Sequence, residues 1–493
     1  MTKVMMGRVS EVLIRKLVAR GRPAIDSKAR FMASGKALAP LTAAGARRKA
    51  DELGMQLGFA EAPGVPIGTA VAGRQRLYGS YDDLHLDIWG RRQGKSACRA
   101  IPAILDAVGP VVAASTKRDI VDATRDVRAA QGSRIWVFDP QNVAGEEASW
   151  FWDPLAWVGG DAVRAARLAA HFAEADNRTD AGDYFEVEAE ELLSTLFLAA
   201  SVAGRPIQQV WEWVTYLQDT EPVELLRRHG HHLAAAGLAA VYNTDLRHQG
   251  GLFGTAKKMA RCLRFPHLRP WVSRVSDDQQ EFDGHQFVNA NETLYALAAA
   301  GSGSSAPLVS ALIESVLDVA VRKAWWTVPV LTILDDAANV ARRKDFPQWY
   351  SRYGSRNVIV MAMLESWAQG VRCWGRDGMN ELWSAANIKV VGAGVDDVPF
   401  LRDRVDGIGG YGIGVSELRS LPRERAVLFA SGVPPVLIKT EPWWTGYYAD
   451  AVRRSIDAHL PRKPTLADLV NSAPPTGTSL PVSLEKTGGA APP

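Results

Sequence analysis

The chain has 493 residues, which is enough for two or three domains with a large apolar core. Its formal net charge is only +3, so overall charge does not indicate a nucleic-acid-binding protein, and any contact with DNA must be local. The 3 cysteines lie far apart in sequence and form no Cys-x-x-Cys pair, which argues against a disulfide framework and against a zinc site.

Residues 1–76 are predicted to form a basic N-terminal helical segment and a linker. Between residues 12 and 22, apolar and basic positions alternate with broken helical periodicity. This pattern fits a solvated helix, or an amphipathic helix lying on an anionic membrane surface. Residues 64–77 have the Gly and Pro density of a linker or of short strands. No apolar run approaches the roughly 18 to 20 residues of a membrane-spanning helix, so no transmembrane segment is predicted.

From about residue 77, short apolar strands alternate with helices, which predicts a parallel sheet with helices on both faces. The first strand leads into the loop WGRRQGKS and then a helix. Backbone N–H groups of such a loop bind phosphate oxygens, and the helix N-terminus adds positive charge. In the P-loop motif, the lysine reaches the β- and γ-phosphates and the hydroxyl residue holds Mg²⁺. The predicted nucleotide-binding residues are Gly90, Arg91, Arg92, Gln93, Gly94, Lys95, Ser96 and Ala97.

The stretch TILDDAANV is expected to supply the other half of this site. Its apolar residues indicate a buried parallel strand, and Asp335 and Asp336 follow at the carboxyl end. In P-loop NTPases one acid at this place holds Mg²⁺ and a second polarises the attacking water. We therefore expect Asp335 to bind Mg²⁺ together with Ser96, and Asp336 to be catalytic. The two halves together predict an α/β P-loop NTPase fold.

Strand signals fade between about residues 161 and 265, and apolar positions recur there at helical spacing. This predicts an all-α domain at residues 176–284, inserted between two parts of the sheet domain at 77–175 and 285–445. A basic group near its end predicts phosphate contacts without sequence readout, or a solvated face. The group comprises Lys257, Lys258, Arg261 and Arg264. A C-terminal helix at 446–460 and a disordered tail at 461–493 are predicted to complete the chain.

The order and spacing of these motifs resemble the type IV secretion coupling proteins, the TraG/TraD-like ATPases of conjugative DNA transfer, in an actinobacterial form. The likeness covers roughly residues 64–445. It includes the segments IWGRRQGKS, WVFDPQ, WFWDPLAWV, TILDDAANV, YGSRNVIVMAMLESWAQG and WGRDGMNELWSAANIKVVGAGV. The resemblance implies a RecA-like motor domain with an inserted all-α domain, assembled as a homo-hexameric ring around DNA.

The same resemblance implies cofactors, partners and further site residues. ATP and Mg²⁺ are the expected cofactors, and single- or double-stranded DNA, a relaxase or relaxosome, and the secretion channel are the expected partners. Arg356 is the expected arginine finger acting on a neighbouring subunit's ATP, with Arg352 as a competitor. Glu365 takes the position of the γ-phosphate sensor. Family members commonly carry two N-terminal transmembrane helices; none is predicted here, so we expect a cytoplasmic protein, held at the membrane, if at all, through a partner.

Three positions depart from the family pattern. Trp89 replaces the first glycine of the loop, Asp336 replaces a glutamate, and Glu365 replaces a glutamine. A second carboxylate near the γ-phosphate adds repulsion unless Mg²⁺, an arginine or a proton offsets it. Nucleotide binding is therefore expected, and the rate of turnover stays open. The leading interpretation is an ATP-driven DNA-transfer motor; the alternatives are a nucleotide-binding cargo adaptor with weak or no hydrolysis, and a plasmid or chromosome double-stranded DNA translocase.

Overall fold

The computed structural model describes residues 23–174, 185–299, 304–322, 328–354, 356, 358–408 and 412–461. The helix expected between residues 12 and 22, and all but the first residue of the expected disordered tail, lie outside these ranges. Within them, no helix has both the length and the apolar character that crossing a membrane requires.

The described residues contain thirteen strands. They are β1 Val65–Ala70, β2 Arg76–Gly79, β3 His85–Ile88, β4 Val111–Ser115, β5 Arg134–Phe138, β6 Trp150–Phe151, β7 Gln280–Glu281, β8 Glu292–Leu297, β9 Val330–Asp335, β10 Val358–Leu364, β11 Ile388–Val391, β12 Arg425–Ala430 and β13 Val433–Lys439.

The α-helices fall before, between and after these strands. They are Ala43–Glu52, Ile101–Leu105, Asp119–Ala130, Pro154–Val158, Ala162–Ala173, Glu186–Val202, Gln208–Trp213, Glu221–Arg228, His232–Tyr242, Leu246–Met259, Arg269–Val272, Gly284–Asn289, Ala306–Ala320, Ala337–Val340, Phe346–Tyr353, Trp367–Ala385, Val398–Ile408, Val415–Arg419 and Ala449–His459. A π-helical turn, Ser96–Ala100, precedes Ile101–Leu105, and the helix Trp367–Ala385 is kinked at Gly375.

Eleven of the strands form one sheet, in the order β2-β1-β13-β12-β11-β3-β10-β9-β4-β8-β5. The strands from β11 to β5 all run parallel, and β12, β13, β1 and β2 extend one edge in antiparallel fashion. This confirms the predicted α/β fold with a mostly parallel sheet. Successive residues of β10 enter two different cores, since Val360 and Ala362 face one and Met361 and Met363 the other. The sheet is thus buried on both faces, as its uninterrupted apolar strands require.

The structure differs from the expected domain limits in two places. First, β1 and β2 pair with each other, and β1 pairs with β13, so the sheet begins well before residue 77. Glycine and proline in β1 and β2 weaken the sequence pattern that predicts a strand. Gly68 lies at a bulge with a φ of 149°, close to the backbone of Lys439. Second, the helices Pro154–Val158 and Ala162–Ala173 pack against Glu186–Val202. The helical region predicted at 176–284, called the helical layer below, therefore begins before residue 176.

Candidate functional site

Four neighbouring parallel strands, β3, β10, β9 and β4, have their carboxyl ends side by side. This border of the sheet is called the carboxyl edge, and the opposite border the amino edge. The loop of residues 89–95 follows β3, and Glu365 follows β10. Asp335 is the last residue of β9, and Asp336 comes next. The register places Met363 of β10 between Asp87 of β3 and Asp335 of β9. Residues far apart in the chain therefore meet at the carboxyl edge, where α/β proteins bind their ligands.

The loop after β3 is held from both sides by backbone hydrogen bonds. The N–H of Trp89 donates to the carbonyl of Leu364 at 3.1 Å, and the N–H of Gly90 donates to that of Ala393 at 2.9 Å. Arg92 and Gly94 have φ angles of 56° and 98°. These left-handed residues turn the chain sharply before the helical turn that begins at Ser96, the geometry in which successive N–H groups can face an anion.

The side chain of Trp89, the first residue of this loop, packs into the core and not into the loop. Its side chain is fully buried and lies in a core cluster with Cys98, Val390 and Leu428. The indole Nε1 donates to Asp87 Oδ1 at 3.2 Å. The first of the three departures from the family pattern thus places a large, buried ring at the start of the loop that follows β3.

Asp87 is in turn the partner of a buried arginine. The Arg99 Nε lies 2.9 Å from Asp87 Oδ1, and its Nη2 lies 3.1 Å from His85 Nδ1. Complete burial and the Arg99 charge hold the pKa of His85 well below its ordinary value, so the ring is neutral. Asp87 and His85 lie in β3 and Arg99 lies in the helical turn after the loop, so the network connects the two elements on either side of the loop. The pairing is needed because an unpaired buried charge is costly.

Lys95, Ser96 and Asp335 meet at the centre of the site. The Lys95 Nζ is 3.0 Å from Asp335 Oδ1, and the Ser96 hydroxyl donates to Asp335 Oδ2 at 3.1 Å. Ser115, at the end of β4, also donates to this oxygen at 3.3 Å. The side chains of Lys95 and Asp335 are only 11% and 5% exposed. A hydroxyl and a carboxylate oxygen this close are a donor set that fits Mg²⁺.

Asp336 is fixed by two amide side chains to which the sequence interpretation assigned no role. The Gln369 Nε2 donates to Asp336 Oδ1 at 2.5 Å, and the Asn339 Nδ2 donates to Oδ2 at 2.5 Å. Asp336 has a φ of 68° and immediately precedes the short helix Ala337–Val340. The available sequence signal for Gln369 was its place in the first helical turn after the capping Ser366, next to Glu365.

Glu365 is paired with cations. Its Oε2 lies 2.9 Å from the Arg91 Nε, and its Oε1 lies 3.9 Å from the Lys117 Nζ. An arginine was one of the three agents expected to offset this carboxylate. Lys117 was missed; it follows the end of β4, a strand whose neighbour carries Asp335.

Arg356 lies away from this site in its own subunit. It is exposed and comes just before β10, at the amino edge of the sheet, whereas the P-loop lies at the carboxyl edge. The 7 residues of β10 separate the two edges by about 23 Å. Arg352 is also exposed, in the last turn of Phe346–Tyr353.

The basic residues of the helical layer are not equally accessible. Lys258 and Arg264 are exposed, whereas Lys257 and Arg261 are half-buried. The Lys257 ammonium lies 5.3 Å from the centre of the Trp211 ring. The α-helix ends at Met259 and the chain continues as a 3₁₀ turn, so the four residues do not share one continuous helix.

Comparison with known proteins gives one family match. A family model described as the TraM recognition site of TraD and TraG matches residues 329–425, which contain Asp335, Asp336, Glu365 and Gln369. No curated protein sequence matches the chain.

Solved structures resemble the chain over most of its length. The bacterial conjugative coupling protein TrwBdeltaN70, in an unbound monoclinic form, superposes with a TM-score of 0.58 at 14% identity, covering 80% of this chain and 91% of that one. The plasmid coupling protein TrwB in complex with the ATP analogue ADPNP gives 0.53 at 13% identity, covering 80% and 92%. VirB4 of Thermoanaerobacter pseudethanolicus gives 0.50 at 11% identity, covering 80% and 100%. At these identities the likeness is one of fold.

Proposed function

We propose that this chain, which is TraG/TraD-like in its fold and in the sequence of residues 329–425, is an ATP-dependent DNA-transfer motor of conjugation. It binds ATP with Mg²⁺ at the carboxyl edge of the sheet and uses hydrolysis to pass DNA toward a type IV secretion channel.

The observation that carries this proposal is the meeting of Lys95, Ser96 and Asp335. Asp335, at the end of β9, lies 239 positions after Ser96, at the start of the helical turn that follows the β3 loop, yet their side chains are hydrogen-bonded. When ATP binds, the Lys95 ammonium would move from Asp335 to the β- and γ-phosphates. Ser96 and Asp335 would then be the residues that hold Mg²⁺, which would supply positive charge to offset that of the phosphates.

Hydrolysis requires an oriented water, and Asp336 is the residue that we assign to it. Two amide donors fix its carboxylate, and each oxygen retains a lone pair for a water molecule. Arg91 and Lys117 place positive charge beside Glu365, which lowers the repulsion expected between this carboxylate and the γ-phosphate. These contacts support turnover in preference to the adaptor function.

We extend the proposal to assembly and partners. A homo-hexameric ring would bring the exposed Arg356 of one subunit to the site of its neighbour. Lys258 and Arg264 are the accessible candidates for contacts with DNA phosphates, with Lys257 and Arg261 behind them. A relaxase or relaxosome and the secretion channel are the proposed protein partners, and the TraM recognition named for the matched family model supports a docking surface within residues 329–425.

The test is the ATPase activity of the purified chain with and without single- and double-stranded DNA. We expect hydrolysis that rises with added DNA and that disappears in Lys95→Ala, together with the binding of ADPNP. Lys36→Ala, which removes an exposed lysine elsewhere, is the matched control and should behave like the unaltered protein. ADPNP binding without hydrolysis, with or without DNA, would favour the adaptor. Undiminished ADPNP affinity in Lys95→Ala would exclude the P-loop assignment.

A further inference from the structure

We infer that Gln369 is the positioning residue of the hydrolytic reaction, and that it supplies the amide that the chain lacks at position 365. The inference rests on the proposed function and assigns a role in it to a residue for which the sequence predicted none.

The Gln369 side chain connects two strand ends. Its Nε2 donates to the Asp336 carboxylate, which follows β9, at 2.5 Å, and its Oε1 accepts from the backbone N–H of Glu365, which follows β10, at 3.0 Å. A carboxylate can only accept and a backbone N–H can only donate. The two partners therefore determine which end of the amide is which.

Its own position is fixed by the start of a helix. The N–H of Gln369 donates to the Ser366 hydroxyl at 3.1 Å, so the residue lies in the capped first turn of Trp367–Ala385. The side chain is half-buried and reaches back over the β10 end. The helix start, β9 and β10 thus share one amide group, and a shift in any of them changes the direction of the Asp336 carboxylate.

This arrangement suits an aspartate that must act in place of a longer glutamate. A free aspartate side chain turns about its last torsion, which is broad. Here Gln369 holds one oxygen and Asn339 the other, so that torsion is fixed. Neither amide N–H can transfer its proton to Asp336, so both carboxylate oxygens remain acceptors for the attacking water. Displacing a reacting group by about 1 Å can lower a rate on the order of a hundredfold, so loss of this contact should lower the rate of hydrolysis.

The experiment compares Gln369→Met with Gln348→Met. Methionine matches the length of glutamine but makes neither hydrogen bond, and Gln348 is an exposed glutamine on the helix Phe346–Tyr353. We expect Gln369→Met to lower kcat by about ten- to a hundredfold, with the KM for ATP changed by less than about twofold. Gln348→Met should leave both constants unchanged.

A second measurement does not need turnover. A positioning residue should affect a mimic of the transferring phosphoryl group more than a ground-state analogue. We therefore expect Gln369→Met to bind ADP with aluminium fluoride at least about tenfold more weakly and to bind ADPNP as before.

The outcomes separate the two proposals. If the unaltered protein binds no ADPNP, the proposed function is wrong, and the positioning role of Gln369, which depends on it, is wrong as well. If the unaltered protein binds both ligands and Gln369→Met weakens them equally, the residue is structural. If Gln369→Met changes neither kcat nor the binding of the aluminium fluoride complex, the positioning role alone is wrong.

Discussion

The Trp89 ring packs directly against Gly392, in space that a side chain at position 392 would fill. A Cβ atom on Gly392 would lie 2.1 Å from the Trp89 indole, and one on Gly90 would lie 2.2 Å from the carbonyl oxygen of Gly394. Glycine is therefore required at both positions, one on the segment after β11 and one in the loop that follows β3. Gly392 thus accommodates the large residue at the start of the loop, and Gly90 allows the close approach of the Gly394 backbone.

Gly392→Ala should therefore disturb the nucleotide site without touching it. The added methyl group must displace the indole, and overpacking of this kind costs about 1–3 kcal/mol. We expect a lower melting temperature and weaker ADPNP binding. Gly237→Ala is the matched control, because nothing lies within 4 Å of its added Cβ and the residue is inside a helix, where alanine is favoured. Replacing Trp89 with leucine in the Gly392→Ala background should recover part of the loss; a purely additive double variant would contradict the pairing.

The pairing of Arg91 with Glu365 leads to a second prediction. Arg91 is 83% exposed, so its ion pair contributes at most about 1 kcal/mol. Arg91→Ala should nevertheless raise the KM for ATP several-fold, because it leaves the Glu365 carboxylate facing the γ-phosphate with only Lys117 nearby. Glu365→Gln should reverse this increase in the Arg91→Ala protein and have a smaller effect alone. The four proteins of this cycle are compared by kcat and KM. Equal effects of Glu365→Gln in both backgrounds would mean that Arg91 does not offset the acid.

The fold and the centre of the site could be predicted because their signals are local. Lys95, Ser96 and Asp335 each occupy a recognisable place at the end of an apolar strand, and parallel strands bring such ends together. The contacts of Gln369 and Lys117 could not be predicted in this way, since they depend on which strands are neighbours in the sheet. The sequence of β1 and β2 also fits a linker, because glycine and proline weaken the alternation that marks a strand.

Arg356 provides a test of assembly. It precedes β10, a strand about 23 Å long that leads to the site of its own chain, so an arginine finger at this position would have to act on another subunit. Arg356→Ala should abolish ATP hydrolysis and leave ADPNP binding intact. Mixing it with Lys95→Ala subunits should restore some activity, because an intact nucleotide site then meets an intact Arg356. The same mixture made with Arg352→Ala decides between the two arginines. Mixed rings that form and show no activity at any ratio would exclude a trans-acting Arg356.

The last prediction concerns Glu174, where the helical layer meets the segment after β9. It follows Ala162–Ala173, and one of its carboxylate oxygens accepts from the backbone N–H of Lys344 at 2.7 Å. Burial raises its pKa from 4.5 to about 7, although the Lys344 N–H and the charges of Arg343 and Lys344 act in the opposite direction, and Asp345 adds to the increase.

The raised pKa has a definite consequence for stability. Between pH 4.5 and about 7 the folded protein binds more protons at Glu174 than the unfolded chain does. The free energy of unfolding contributed by this group therefore falls as pH rises through that window. Above pH 7 the full cost of the buried charge is present, at most about 3 kcal/mol.

Glu174→Gln removes this titration and keeps an oxygen that can accept from Lys344. We expect the variant to melt a few degrees above the unaltered protein at pH 8 and to show little difference at pH 5. Glu147→Gln removes the same charge from an exposed position and controls for the change in net charge. Melting temperatures of the three proteins at both pH values are the measurement. An increase that is equal at pH 5 and pH 8, or one that Glu147→Gln reproduces, would mean that the buried charge of Glu174 is not its cause.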